Sequence, residues 1–121
     1  MGKTAEALRA IKRVVDEQDL SLTLPLEVRF VAKDTTYLSP ANQQDVSYIG
    51  IATQSNANEA IERFEPIVKR LGGRPHWGKC YSMTRAEAES LYPDYEKFRQ
   101  VRKELDPNSI FSNEFLQYFF D

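Results

Sequence analysis

Glu27 and Arg29 stand two residues apart in LPLEVRFVAK, where they alternate with Leu26, Val28 and Phe30. Alternation of this kind predicts a strand with its apolar positions on a core, so the carboxylate and the guanidinium share the opposite face. Side by side, an acceptor and a fork of donors can hold a polyol hydroxyl. A solvated ion pair on an exposed sheet face, contributing roughly 0 to 1 kcal/mol, fits the pair alone as readily. A second group has to decide between the two readings.

That group is in GGRPHWGK, Gly72 to Lys79, which holds the only tryptophan and the only histidine of the chain. Gly78 leaves the backbone bare beside Lys79, so a flat ligand can approach there. Read as extended, RPHWGKCYS places Trp77 and Lys79 on one face and turns His76 to the other. A fixed ammonium at such a place suits a ring that becomes anionic on accepting hydride, as a flavin does along its N1–C2=O edge. Trp77 as core, Lys79 in solvent and His76 satisfied by backbone is the alternative that these residues leave open.

Cys80 has no oriented base with a third partner beside it in sequence, and a lone cysteine reads as packing. One histidine and one cysteine four residues apart lack the further ligands of a metal site, so no metal is expected. Arg99, Arg102 and Lys103 alternate with Glu96 and Glu104 on a helix face and read as solvation.

The elements that must position these groups follow from periodicity. Ala7, Leu8, Ile11, Val14 and Val15 form one stripe through Lys3 to Gln18, an amphipathic helix. The strand from Leu24 and a second, VSYIGIAT (Val46 to Thr53), flank a turn-rich connection around Ser39 to Asn42. Asn56 or Asn58 caps a helix with the stripe Ala60, Ile61, Phe64, Ile67, Val68 and Leu71; Pro66 should kink or divide it, and Gly72-Gly73 should end it. Thr84 and Glu87 form a capping box for a short helix to about Leu91. Pro93 opens another as its first-turn residue, with Tyr95, Phe98, Val101 and Leu105 inward, and DPN stops it. NEFLQYFF closes the chain as an aromatic helix, and Phe111, Phe115, Tyr118, Phe119 and Phe120 are core or interface. The sum is an α+β fold, a small antiparallel sheet packed by helices on one side, with a C-terminal helical segment.

Composition narrows the classes. With 121 residues, 41% hydrophobic and 28% charged, the chain builds one compact domain with a true core. Sixteen basic against eighteen acidic side chains give a net charge of −2, which favours neither nucleic acid nor an anionic membrane as partner. A single cysteine cannot form an internal disulfide, no apolar run nears the roughly 18 to 20 residues of a membrane span, and the N-terminus lacks a signal peptide's apolar stretch. A cytoplasmic location is the expectation. Neither a GxGxxG turn nor a GxxxxGK[ST] loop is present, so any large cofactor must be held mostly elsewhere.

LPLEVRFVAKDTTYLSPANQQD, GGRPHWGK and LYPDYEKFRQVRKELDPNSIFSNEFL resemble, in order and spacing, the C-terminal part of the aldonolactone oxidase family. That family includes gulonolactone and arabinonolactone oxidases, with the alditol (xylitol) oxidases as close relatives, all flavoenzymes of the vanillyl-alcohol oxidase type. The resemblance runs from about Leu24 to Phe120. It implies that residues 1–121 are a fragment of a two-domain flavoenzyme, a substrate (cap) domain whose N-terminal FAD-binding domain is absent from this chain. Such a fragment is expected to be inactive alone, with its aromatic terminus packing toward its own FAD domain.

Position by position, the resemblance places the ExR of the family on Glu27 and Arg29 and the lysine of HWxK on Lys79, as catalytic residues. Lys79, His76 and Trp77 are the implied cofactor-binding residues, Trp77 walling the pocket. The implied reaction is oxidation of a CH–OH group of a sugar-derived aldonolactone by hydride transfer to FAD, with oxygen as acceptor. Where alditol oxidases offer a histidine and a threonine on the second strand, the matching positions here are Gly50 and Ala52, which favours a lactone-type pocket over an alditol one. A polyol such as xylitol is the alternative substrate. A non-catalytic α+β ligand-binding or dimerisation module is the alternative of another class, and self-association of the fragment is a further expectation.

Overall fold

The computed structural model describes residues 2–20, 22–52 and 57–121. Its elements run α1 (Gly2–Glu17), β1 (Glu27–Val31), β2 (Val46–Gly50), α2 (Ala57–Arg70), α3 (Arg85–Leu91), α4 (Tyr95–Leu105) and α5 (Glu114–Phe120). The α+β class and the two-stranded antiparallel sheet are as the sequence predicts.

Two apolar clusters hold the fold. In the first, Ile11 of α1 and Phe64 and Ile67 of α2 are buried, with Leu26, Ile49 and Ile51 from the hairpin packed against them. One face of the sheet is thereby covered. Opposite pairs in the register share a face, so Val28 with Ile49 and Phe30 with Ser47 lie on that covered side. Phe30 nevertheless stays 64% exposed, against the sequence expectation. The neighbouring layer offers Thr4, whose hydroxyl meets that of Ser47 at 2.8 Å, and a polar contact gives Phe30 no apolar surface to cover it.

The second cluster is aromatic and gathers Met83, Ala88, Tyr92, Tyr95, Phe119 and Phe120, with Trp77, Tyr81, Phe98 and Leu116 packed around it. A capping box at Thr84 and Glu87 starts α3 as predicted. Asp94 is the N-cap residue of α4, so Pro93 stands just before the helix and not in its first turn. Of the stripe expected to face inward, Tyr95 is buried and Phe98 packs, but Val101 is 39% and Leu105 81% exposed. The side chain of Leu105, at the end of α4, faces solvent. The polar face of α4 is less solvated than the charge pattern suggested: Arg99 donates to the Phe120 carbonyl at 2.9 Å and Arg102 pairs with Asp121. Two cations thus sit at the C-terminal end of α5, where the helix dipole favours them.

α2 is one helix across Pro66, undivided. Asn58 lies inside it and so is not its cap, while Asn56 lies outside the described residues. The helix stops where the sequence says: Gly73 N–H bonds Val68 C=O at 2.7 Å and Gly72 N–H bonds Lys69 C=O at 2.9 Å, with Gly72 at φ 73°. This is a Schellman stop with glycine in the left-handed position.

The loop between the strands ties the clusters together. Ala41 and Asn42 within it are buried, Asn42 completely. Asp94 accepts from the Asn42 and Gln43 side-chain amides, each at 3.0 Å, and pairs with Lys97 at 2.6 Å. Trp77 Nε1 donates to the Leu38 carbonyl at 3.0 Å, and Arg74 to the Pro40 and Asn42 carbonyls at 3.1 and 2.9 Å.

Candidate functional site

The register settles which side chains share the uncovered face of the hairpin. Glu27 pairs with Gly50, Arg29 with Tyr48, and Val31 with Val46. Arg29 donates Nε to Glu27 Oε1 at 2.6 Å and brings a second nitrogen within 2.5 Å of the same oxygen. Both side chains stay largely exposed, 70% and 59%, so the pair is not consumed by packing. Beside it Gly50 contributes no side chain: a Cβ there would lie 3.5 Å from both Cβ and Oε2 of Glu27. The face therefore presents an exposed carboxylate and guanidinium beside Tyr48, with no side chain opposite Glu27.

Tyr48 is half-buried, and burial, helped by the nearby charge of Asp34, pushes its phenol above the ordinary value. It also lies within electrostatic reach of Tyr92, whose own phenol is raised by burial. The Arg74 guanidinium stacks over the Tyr92 ring at 5.1 Å and is lowered by the same burial. Tyr92 stacks in turn on Trp77, ring centres 5.2 Å apart. Arg74, Tyr92 and Trp77 thus form a stacked row that ends in the HWGK segment.

That segment is a turn and not the extended run predicted. Lys79 N–H bonds His76 C=O at 3.0 Å, and Gly78 N–H donates to His76 Nδ1 at 3.0 Å. Gly78 permits the reversal, which would otherwise press a Cβ to 3.3 Å from the imidazole. The expected sharing of one strand face by Trp77 and Lys79 therefore fails as geometry, yet both side chains line one open cleft with Tyr81, Phe115 and Tyr118. Trp77 reaches deeper than a wall residue. It contacts the rings of Tyr81, Tyr92, Phe115, Phe119 and Phe120, and its indole hydrogen bond to Leu38 pins the turn.

His76 and Lys79 are exposed on the turn, and the Lys79 ammonium has no ion-pair partner among the described residues. The cleft that Lys79 lines includes neither Glu27 nor Arg29. Cys80 is exposed at the same cleft, contrary to the packing role expected of it. Ala52 accepts from Thr23 N–H beyond the end of β2, so of the two second-strand positions Gly50 alone lies in the paired face. Among the described residues no group of three or more His, Cys, Asp or Glu side chains is placed to hold a metal ion. No described helix is long and apolar enough to cross a membrane.

The sequence singles out Glu27, Arg29 and Lys79 as candidates and does not single out Tyr48, which the structure pairs with Arg29, or Arg74, which it stacks over Tyr92. Tyr48 was detectable as the residue two before Gly50 on an alternating strand. Arg74 carried no signal, because its partners are carbonyls of a loop 32 and 34 residues away.

The family description D-arabinono-1,4-lactone oxidase matches residues 1–119. The chain belongs to that family. Within the D-arabinono-1,4-lactone oxidase family it is 38% identical to an L-gulonolactone oxidase of Scyliorhinus torazame over 98% of its own length. It is 37% identical to an L-gulono-1,4-lactone dehydrogenase of Mycobacterium tuberculosis over 91% of its length, and 31% identical to an alditol oxidase of Streptomyces over 96%. Those matches cover 28%, 26% and 28% of the respective relatives, so the chain spans little more than a quarter of their length.

Proposed function

We propose that the chain is the substrate-bearing (cap) domain of an FAD-dependent oxidoreductase that oxidises a CH–OH group of a sugar-derived aldonolactone, with oxygen as acceptor. The observation that carries this reading is the grouping of Glu27, Arg29 and Gly50: an exposed acceptor and donor fork on the hairpin, with no side chain opposite the carboxylate. The resemblance of the chain to lactone oxidases supports the substrate class.

Substrate hydroxyls would be held by the two charges. Glu27 fixes the plane of Arg29 and would accept the carbinol hydroxyl's hydrogen bond and then its proton; Arg29 would stabilise the oxyanion left by that proton, from which the C–H hydride departs as the carbonyl forms. FAD, when bound, supplies the hydride acceptor. The donor set suits that group. Lys79 offers an ammonium not neutralised by a protein carboxylate, and His76, with Nδ1 occupied by Gly78, has Nε2 left for an outward contact. Trp77 supports the cofactor indirectly, by anchoring the turn that carries both. The expected partner is the protein's own FAD domain, and Leu105, Ile110 and Phe111 are exposed apolar side chains that it would cover.

Anaerobic mixing of the flavin-loaded, full-length protein with L-gulono-1,4-lactone and, separately, with xylitol tests the proposal. Rapid bleaching of the flavin by the lactone and slow bleaching by xylitol is the expected result. Bleaching by xylitol alone would move the substrate class to alditols, and no bleaching by either would overturn the reading.

A further inference from the structure

We propose that Tyr48 is a specificity-determining residue, its phenol hydroxyl binding a hydroxyl of the substrate's exocyclic chain while Glu27 and Arg29 hold the ring end. The inference rests on the substrate class proposed above. Its structural basis is the register: Arg29 and Tyr48 are directly paired, so their Cβ atoms are nearest neighbours on the uncovered face, and Glu27 lies on the diagonal from Tyr48. Gly50, the next residue on that face of β2, adds no side chain between Tyr48 and the Glu27 carboxylate.

Tyr48 is also in the setting a recognition hydroxyl needs. The residue is half-buried, so part of its side-chain freedom is already lost before binding. No other described residue takes its hydroxyl as a hydrogen-bond partner. The phenol stays protonated at neutral pH and can both donate and accept, which suits a sugar hydroxyl better than an ionised group would. A site built to pair a hydroxyl discriminates strongly against a ligand that lacks it, because the protein's own polar group is then left alone.

The test uses the flavin-loaded, full-length protein and two probes. L-gulono-1,4-lactone carries the exocyclic hydroxyls; L-threono-1,4-lactone has the hydroxylated ring without them. Concentration series of anaerobic flavin bleaching give an apparent Kd and a limiting rate for each lactone with wild type and Tyr48→Phe. The expected result is an apparent Kd for the gulonolactone raised about five- to tenfold in the variant, the size of one hydrogen bond, with the threonolactone unchanged within about twofold. Equal changes for both lactones, including those from a disturbed hairpin, or no change for either, would overturn the role of Tyr48. Failure of wild type to bleach with either lactone would instead overturn the functional reading on which it rests.

Discussion

Gly50 sits directly across the hairpin from Glu27, close enough that a single added carbon would touch the carboxylate at 3.5 Å. A contact of that length is ordinary van der Waals distance, so Gly50→Ala should fold normally. A leucine should not be neutral for function, because its branches would press on the Glu27 carboxylate beside Oε2. The expected outcome for Gly50→Leu in the full-length enzyme is a KM for the lactone raised tenfold or more, the roughly 1.4 kcal/mol per decade of a displaced contact, with the Gly50→Ala value within a few fold of wild type. Steady-state kinetics of the two variants decide it.

Trp77 holds the turn to the aromatic cluster by five ring contacts and one hydrogen bond. Trp77→Ala should cost about 3 to 5 kcal/mol of stability, the usual loss for a large aromatic removed from a packed cluster. Trp77→Phe keeps the ring packing and loses the bond to Leu38, so its cost should be nearer 1 kcal/mol. Urea melts of the two variants should show this order.

Much of the fold was legible in the sequence, and the failures have physical causes. The Schellman stop at Gly72-Gly73 and the Thr84 capping box are encoded locally, within six residues, and both form as read. Phe30 and Leu105 follow their periodic patterns but meet nothing, because periodicity states which side a residue faces and not whether another element lies there. The HWGK segment was misread because an imidazole bonding a backbone N–H two residues on turns the chain back, and alternation cannot reveal that. At the candidate site, Glu27 and Arg29 were identifiable from a two-residue spacing, whereas the proximity of Tyr48 required the register.

Asp94 makes a pH prediction. The Lys97 ammonium first, then the Asn42 and Gln43 amides, pull its carboxyl down to about 2 from an ordinary 3.8. A carboxylate depressed by folding contributes stability that is fully present above its unfolded value and is lost as pH falls through the folded one. The contribution should therefore hold at neutral pH and fade between about pH 4 and pH 2, the interval between those two values. Asp94→Asn should be less stable than wild type at pH 7, and the gap should shrink as pH falls through that interval. Urea melts of both proteins at pH 7, 4 and 2.5 measure it.

Gly72 occupies the left-handed region at φ 73°, where a side chain is strained even though nothing lies within 4 Å of it. Gly72→Ala should cost about 1 to 2 kcal/mol, the penalty of that conformation for an L-residue. Gly72→Asn should recover part of the loss, since asparagine tolerates the region best among the residues with side chains. Thermal melts should rank the three proteins glycine, asparagine, alanine.

The central claim is that Arg29 stabilises charge at the substrate's carbinol and Lys79 stabilises charge on the reduced cofactor. Stopped-flow measurement of anaerobic flavin reduction by L-gulono-1,4-lactone, in the full-length enzyme and its Arg29→Ala and Lys79→Ala variants, tests it most directly. Each variant is predicted to lower the limiting rate by about 10² to 10³, the usual loss for one electrostatic donor at a reacting oxygen. A limiting rate unchanged in either variant would contradict the role assigned to that residue, and unchanged rates in both would remove the hairpin face and the turn from the reaction.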